Sequence, residues 1–455
     1  MKRISRRMIF LLVLMAVLAI GLGIFGVQYV LYADEWVVFS GSPHVYNGVN
    51  LSVGLLTDRN GTRLLDGTQE KVYAEDPLVR SATMHLVGDR FGYIHAPVLE
   101  EYADELVGFN KVTGLYSAVS TPNAAALTID AGVQKTALRA LEGRRGTIGV
   151  YNYQTGEILC AVTSPTYDPD QMPDVEGDTG GAYEGVYLNR FFQTAYVPGS
   201  IFKVLTTVAA VDHIPDLQQQ RFTCEGSVRI GTDTIVCNGT HGTLSFQDAF
   251  AKSCNCAFAD VALQLGPDIL TEYAQKFGVT DTLKVDGITT VPGSFDLQGA
   301  SQGQIAWAGI GQHTNLVNAC QYMYAMGILG GGGSAAKPYL VQSVSGSLLN
   351  RYEAETERSE QLISPETAET LRIMMHYNVV KSYGEHQFPP YYVCAKSGTA
   401  EVGEGVLPHA TFAGYIADET YPLAFIVIVE NGGSGSATCA PIAGTVLKAC
   451  VEAMK

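Results

Sequence analysis

The chain has 455 residues, 47% of them apolar and 16% charged, which leaves room for a large folded domain and a smaller one. Its formal net charge of −16 argues against a nucleic-acid binder, since no excess of basic side chains is present to neutralise phosphates. No internal repeat or long low-complexity tract points to a solenoid or a fibre.

The first element is apolar. Lys2, Arg3, Arg6 and Arg7 precede an uncharged run over 8–33, and Asp34 and Glu35 follow it. A helix of that length crosses a bilayer. The basic residues on its N-terminal side put 1–7 in the cytoplasm and 34–455 outside the membrane. A cleaved signal peptide is the rival reading. Its apolar part is normally shorter and ends at a small-x-small site, so an uncleaved single-pass anchor is expected here.

Residues 34–120 read as a small extracytoplasmic region of their own. LSVGLLTDRNGTRLL has two apolar runs around Asp58-Arg59-Asn60-Gly61, a hairpin signal. Apolar alternation at Thr83–Gly88 suggests a further strand.

From 121 the character changes. LTIDAGVQKTALRALEG reads as a strand end, an Asp130 cap and an amphipathic helix stopped by Gly143. GTIGVYNYQTGEILCAVTSPTY is a strand, a turn at Gln154-Thr155-Gly156 and a second strand. Helical patterns fill 245–330, and a Gly-rich loop at 330–334 leads to the strand PYLVQSVSG. VCAKSGTAEV, HATFAGYIAD and YPLAFIVIVEN form three more strands, and TVLKACVEAMK a closing helix. Strands at both ends with helices between them predict an α+β domain over 121–455 with a mainly antiparallel sheet and a helical subdomain.

All nine cysteines lie on the outer side, an odd number, so at least one is unpaired within the chain. Cys224 and Cys237 flank CEGSVRIGTDTIVC, a hairpin signal that either a disulfide or two free thiols would suit. Cys254 and Cys256 lack the spacing of zinc ligands and no paired C-x-x-C occurs, so no metal site is expected.

Three short motifs carry chemistry. Ser200-Ile201-Phe202-Lys203 follows Pro198-Gly199, which place it at a helix start. Residues three apart share a helix face, so Lys203 can reach the Ser200 hydroxyl. A lysine whose pKa is lowered by burial or by another cation can activate a serine. The pattern points to serine acyl transfer without histidine. Ser253-Cys254-Asn255 sits at the entry to a helical run, where a serine is ordinarily a cap. Here Ser253 can relay a proton and Asn255 can bind a substrate amide. Lys396-Ser397-Gly398-Thr399 lies on a strand whose free edge can pair an extended peptide. Lys396 supplies positive charge, and Ser397 and Thr399 offer hydroxyls to a carboxylate.

In this order and spacing the motifs resemble the penicillin-recognising serine acyltransferases, and most of all the class B penicillin-binding proteins. GEILCAVTSPTYDPD, Asn189-Arg190, the segment GIGQHTNLVNACQYMYAMGILGGGG and the HATFAGY strand extend the likeness over 121–455. The resemblance implies a penicillin-binding transpeptidase fold. It also implies a D,D-transpeptidase that cross-links peptidoglycan stem peptides and binds β-lactams on Ser200. The catalytic group would be Ser200, Lys203, Ser253, Asn255 and Lys396, with Ser397, Gly398 and Thr399 binding substrate and oxyanion. No cofactor is needed. A polytopic glycosyltransferase partner is implied for the anchor and for 34–120, a pedestal or docking region. A D,D-carboxypeptidase, a β-lactamase and a non-catalytic β-lactam sensor or scaffold remain alternatives. Two departures stand out: Ser397 where threonine is common, and His313 where the pattern has glycine after Gln312.

Overall fold

The structure, a computed structural model, describes residues 2–39, 46–47, 50–51, 53–68, 72–109, 113–114, 123–345 and 352–455. Helix α1 (Lys2–Val37) is exposed along most of its apolar length, with Ala33 and Val37 buried near its end, and within it Ser5–Ala33 is long and apolar enough to cross a membrane. It is the only such helix among the described residues.

The hairpin expected around Asp58–Gly61 forms, with Leu55–Thr57 antiparallel to Arg63–Asp66. Its turn is tied to the next part of the chain. Asp58 Oδ1 accepts the Asn60 and Thr62 N–H groups at 2.9 and 2.7 Å, and Asp58 Oδ2 accepts the Ala131 N–H at 3.1 Å. Asn60 Nδ2 donates to Asp130 Oδ2 at 2.8 Å. Leu55–Thr57 also pairs in parallel with Ala124–Leu127, which is antiparallel to Val341–Ser345. One six-stranded sheet therefore draws on both sides of the expected boundary at 120/121, and that boundary itself lies outside the described residues.

The strand expected at Thr83–Gly88 is instead the end of helix α2 (Pro77–Val87). Asp76 caps it through Leu78 N–H at 2.9 Å and Pro77 occupies its first turn. These start signals prevail over a short alternation because the helix also buries Val79, Ala82, Met84, Leu86 and Val87.

Asp130 caps helix α3 (Ala131–Leu141) through the Val133 N–H at 2.9 Å, as expected, and Glu142 and Gly143 end it at φ 51° and 76°. Strands β1 (Gly146–Asn152), β2 (Ile158–Ser164), β3 (Val393–Ala400), β4 (His409–Ile416) and β5 (Leu423–Val429) form a wholly antiparallel sheet in the order β3-β4-β5-β1-β2. Every residue of β1, β2 and β5 is buried, so these strands are mainly apolar rather than alternating, with Thr147, Asn152, Thr163 and Ser164 as buried polar exceptions. One face is covered by α3 and by the C-terminal helix Gly435–Ala453, which is capped by Ser434 and begins well before the predicted start. The other face is covered by Ala319–Gly330. Among the described residues, strand β3 pairs with a strand on one side only, which leaves its other edge without a strand.

The Asn189-Arg190 pair anchors the segment that enters the first motif. Buried Arg190 donates through Nε to Glu430 Oε1 at 2.8 Å, where the Tyr196 hydroxyl also donates at 3.3 Å. Removing one partner of such a pair strands the other charge. Arg190→Met is therefore expected to lower unfolding stability by about 3 kcal/mol, read as a fall in the denaturation midpoint. A change below about 1 kcal/mol would place the pair in solvent-screened contact.

Candidate active site

Ser200 sits in a 3-10 turn, Gly199–Phe202, that leads into helix α4 (Lys203–His213), so the nucleophile candidate lies one turn ahead of the α-helix proper. Glycines let three backbone segments meet here. Gly199 has φ 57°, and a Cβ on it would lie 2.7 Å from the Thr399 carbonyl oxygen. A Cβ on Gly398 would lie 2.8 Å from the Pro198 carbonyl oxygen. The Gly199 N–H donates to the Gly311 carbonyl at 3.0 Å. Any side chain at these points would push β3 or the Gly311 turn away from Ser200.

Lys203 is fully buried, and its Nζ lies 3.1 Å from Ser200 Oγ and 3.1 Å from Ser253 Oγ. It donates at 2.7 Å to both the Ser253 carbonyl and Asn255 Oδ1. Among the described residues it has no carboxylate partner, and burial pushes the amine down to about 7. Lys396 is also fully buried, 3.0 Å from Ser253 Oγ and 2.9 Å from the Ser397 carbonyl. Burial, and then the charge of Lys203, push it well below the ordinary lysine range. The rings of Phe258 and Phe250 lie 5.4 and 5.9 Å from the two ammonium positions.

The second motif is strained. Ser253 adopts φ 52°, a region costly for a residue with a Cβ, and this turn aims its hydroxyl between the two amines. Cys254, not Ser253, is the N-cap of helix α5 (Asn255–Lys276). Asn255 is already engaged on both sides of its amide: Oδ1 accepts from Lys203, and Nδ2 donates to the Val236 carbonyl at 2.8 Å. Only one amide proton of Asn255 is left for a ligand.

On β3, the Ser397 N–H donates at 2.8 Å to the Tyr383 hydroxyl rather than to β4, so Ser397 directs its backbone groups toward the free edge. Edge-facing groups alternate along a strand, so the Thr399 N–H and C=O face the same way, toward the Gly199 turn. All eight residues singled out in the sequence thus lie around one point. His313 has φ 68°, which accounts for glycine at that place in the family pattern. Tyr383 was not visible in the sequence. It precedes Ser397 by fourteen residues within an unremarkable Lys-Ser-Tyr-Gly string.

The structure also assembles a cluster that spacing concealed. Cys224, Cys237, His241 and Cys254 each bring one donor atom to within 4.8 Å of the others. Cys237 Sγ is 3.9 Å from Cys254 Sγ and 3.6 Å from His241 Nδ1, close to the edges of roughly 3.7 Å in a tetrahedron with metal–sulfur bonds of about 2.3 Å. All nine cysteines are free thiols, so the bridge weighed for Cys224 and Cys237 is not formed. The hairpin between them is, with Ser227–Ile230 antiparallel to Asp233–Val236. Three thiols and an imidazole are the donor set of a soft divalent cation. Cys237 Sγ also accepts the Asn255 N–H at 3.2 Å, so the cluster adjoins the second motif.

Comparison with known proteins gives a consistent result. Residues 146–448 match the penicillin binding protein transpeptidase domain. The chain is 30% identical over 359 residues to the peptidoglycan D,D-transpeptidase PbpA of Mycolicibacterium smegmatis, covering 71% of this chain and 72% of that one. Its fold is similar to that of penicillin-binding protein A from M. tuberculosis in a ceftriaxone acyl-enzyme complex, with TM-score 0.76 and 24% identity, over 87% of this chain and 98% of that one. It is likewise similar to the D,D-transpeptidase domain of a peptidoglycan glycosyltransferase from Eggerthella lenta, with TM-score 0.74 and 24% identity, over 88% and 98% of the two chains.

The thiol–imidazole cluster is expected to take up about one equivalent of Co²⁺ per chain, giving the thiolate-to-metal absorption of a tetrahedral site. That absorption should be lost in Cys237→Ser. A chain that binds no cobalt would limit the cluster to thiol packing.

Proposed function

The chain belongs to the penicillin-binding protein transpeptidase family, and on that premise we propose that it is a membrane-anchored peptidoglycan D,D-transpeptidase acting through an acyl-enzyme on Ser200. The observation that carries this reading is a buried lysine amine, without a carboxylate partner, 3.1 Å from a half-buried serine hydroxyl.

The substrate is a stem peptide ending in D-Ala-D-Ala, laid as an added strand along the free edge of β3. Neutral Lys203 has two protons and one lone pair. Its two short contacts, to the Ser253 carbonyl and to Asn255 Oδ1, use the protons. The lone pair is then left for the Ser200 hydroxyl. Ser200 Oγ gives its proton to Lys203 and attacks the penultimate carbonyl. The N–H groups of Ser200 and Thr399 receive the developing oxyanion, an interaction whose loss typically slows such reactions by about 10²–10³. As the intermediate collapses, the proton passes by way of Ser253 to the departing D-Ala. The incoming substrate carboxylate supplies the counter-charge that Lys396 lacks, so Lys396 takes up a proton beside Ser253 as the ligand binds. An amine from a second stem peptide then attacks the ester, Ser200 recovers a proton, and the cross-link is made. A β-lactam enters by the first half of this path and remains on Ser200.

Helix α1 is the proposed anchor, with residues 1–7 cytoplasmic and 34–455 outside. The anchor and residues 34–120 are the proposed contact for a polytopic glycosyltransferase, and 121–455 the transpeptidase domain.

Two measurements test the site. Ser200→Ala is expected to abolish covalent labelling by a fluorescent penicillin, and mass spectrometry of the wild type should find one adduct, on Ser200. An adduct that persists in Ser200→Ala would move the nucleophile elsewhere. Because the amine of Lys203 is held down to about 7 and acts in its neutral form, the acylation rate should rise with pH. The rise should be about tenfold per unit below that value, with a plateau above it. A rate that falls over this range would rule out a lysine base. Rapid release of the bound penicillin would instead favour a hydrolase.

A further inference from the structure

Helix Pro365–Asn378 does not end in an ordinary turn. It continues into a π-helical turn, Val379–Tyr383, closed by Gly384 at φ 83°. Such turns shift the following side chain relative to an α-helix and recur at functional sites. Here the shifted side chain is Tyr383. Its buried ring stands edge-on to Phe412 of β4 at 5.0 Å, and its hydroxyl reaches β3.

The hydrogen bonds of that hydroxyl can be counted completely. Asn378 Nδ2 and the Ser397 N–H each lie 2.8 Å from the Tyr383 oxygen, and both are donors. The same Asn378 Nδ2 also donates to the Ala395 carbonyl at 2.8 Å, which fixes the orientation of the amide. With both lone pairs of the Tyr383 oxygen taken, its single proton is committed to Ser397 Oγ at 2.9 Å. Ser397 Oγ is thereby an acceptor toward Tyr383, and its own proton has no acceptor among the described residues. Ser397 is half-buried, on the strand that carries the substrate-binding motif.

We propose that Tyr383 is a positioning residue that orients the Ser397 hydroxyl as a donor to the carboxylate of the ligand, and so sets the preference of this site for carboxylate-bearing ligands. The inference rests on the acyl-transfer reading given above and deepens it. Without the Tyr383 hydroxyl, no hydrogen bond holds the Ser397 side chain in one orientation, and its donation to the ligand is no longer imposed. The role is confined to binding one end of the ligand. The Tyr383 hydroxyl contacts neither Ser200 nor Lys203.

The test compares benzylpenicillin with its methyl ester, measuring the acylation rate constant and the preceding binding constant separately on the full chain in detergent. Wild type is expected to prefer the free carboxylate. In Tyr383→Phe this preference should fall roughly tenfold, the loss expected for one hydrogen bond to a charged group, while the ester reacts within about twofold of wild type. The change should appear in the binding constant rather than in the acylation step. Ser397→Ala should lose the same preference, and adding Tyr383→Phe to it should have no further effect. Should Tyr383→Phe fail to fold, Asn378→Leu serves instead. With that donor gone, a lone pair of the Tyr383 oxygen is free to accept the Ser397 proton, so the same selective loss is expected. Equal slowing of both ligands, or an unchanged ratio in a folded variant, would overturn the role of Tyr383. A wild type that forms no adduct with either ligand would overturn the acyl-transfer reading itself.

Discussion

Two lysine amines are buried beside one another with no carboxylate to balance them, and the rest of the site is arranged around that fact. An uncompensated ammonium ion taken out of water costs several kcal/mol even after relaxation. The chain meets this cost by releasing protons rather than by adding a counter-ion. Lys203 and Lys396 are both fully buried, and both are shifted toward the neutral form. Ser253 Oγ lies between them, 3.1 Å from one and 3.0 Å from the other. A carboxylate placed here would stabilise the charges and remove the base. The Ser253 carbonyl and Asn255 Oδ1 instead supply neutral acceptors, which fix where Lys203 points without restoring its proton.

Holding such a group requires a rigid surrounding, and backbone does most of this. The Pro198–Ile201 turn lies against β3 because Gly199 and Gly398 carry no side chains to separate them, and the Gly311 carbonyl accepts the Gly199 N–H. The remaining geometry is obtained at positions that have side chains and are strained for it. Ser253 at φ 52° and His313 at φ 68° each hold a conformation that ordinarily favours glycine. Strain of that kind persists where the surroundings over-determine it. At Ser253 they do so through both lysines, the Phe250 carbonyl and the cap of α5.

Much of this was legible in the sequence because the motifs are local. Ser200 and Lys203 are one turn apart, and Ser397, Gly398 and Thr399 are consecutive on one strand. β1, β2 and β5 showed as apolar runs since burial on both faces suppresses alternation. What escaped was built from distance. The thiol–imidazole cluster takes its four donors from the ends of separate ribbons and from the cap of α5, so no spacing rule for paired cysteines could find it. Tyr383 depends on a π-helical turn, a register shift that leaves no mark on periodicity. At Thr83–Gly88 the alternation was real but short, and the Asp76-Pro77 start lay just outside the window in which it was read.

The small ribbon between α4 and α5 shows how these remote elements bear on the chemistry. It consists of two-stranded pairings, Arg221–Cys224 with Gly242–Ser245 and Ser227–Ile230 with Asp233–Val236. Pairings of that size are marginal in water without further support. Yet the ribbon supplies two of the contacts that hold Asn255: the Val236 carbonyl, which accepts from its side chain, and the Cys237 sulfur, which accepts from its backbone. Asn255 in turn supplies one of the two acceptors that orient Lys203. Loosening the ribbon would therefore act on the base through Asn255, without any contact to Ser200. Whatever occupies the space among Cys224, Cys237, His241 and Cys254 bears directly on how firmly that chain of contacts is held.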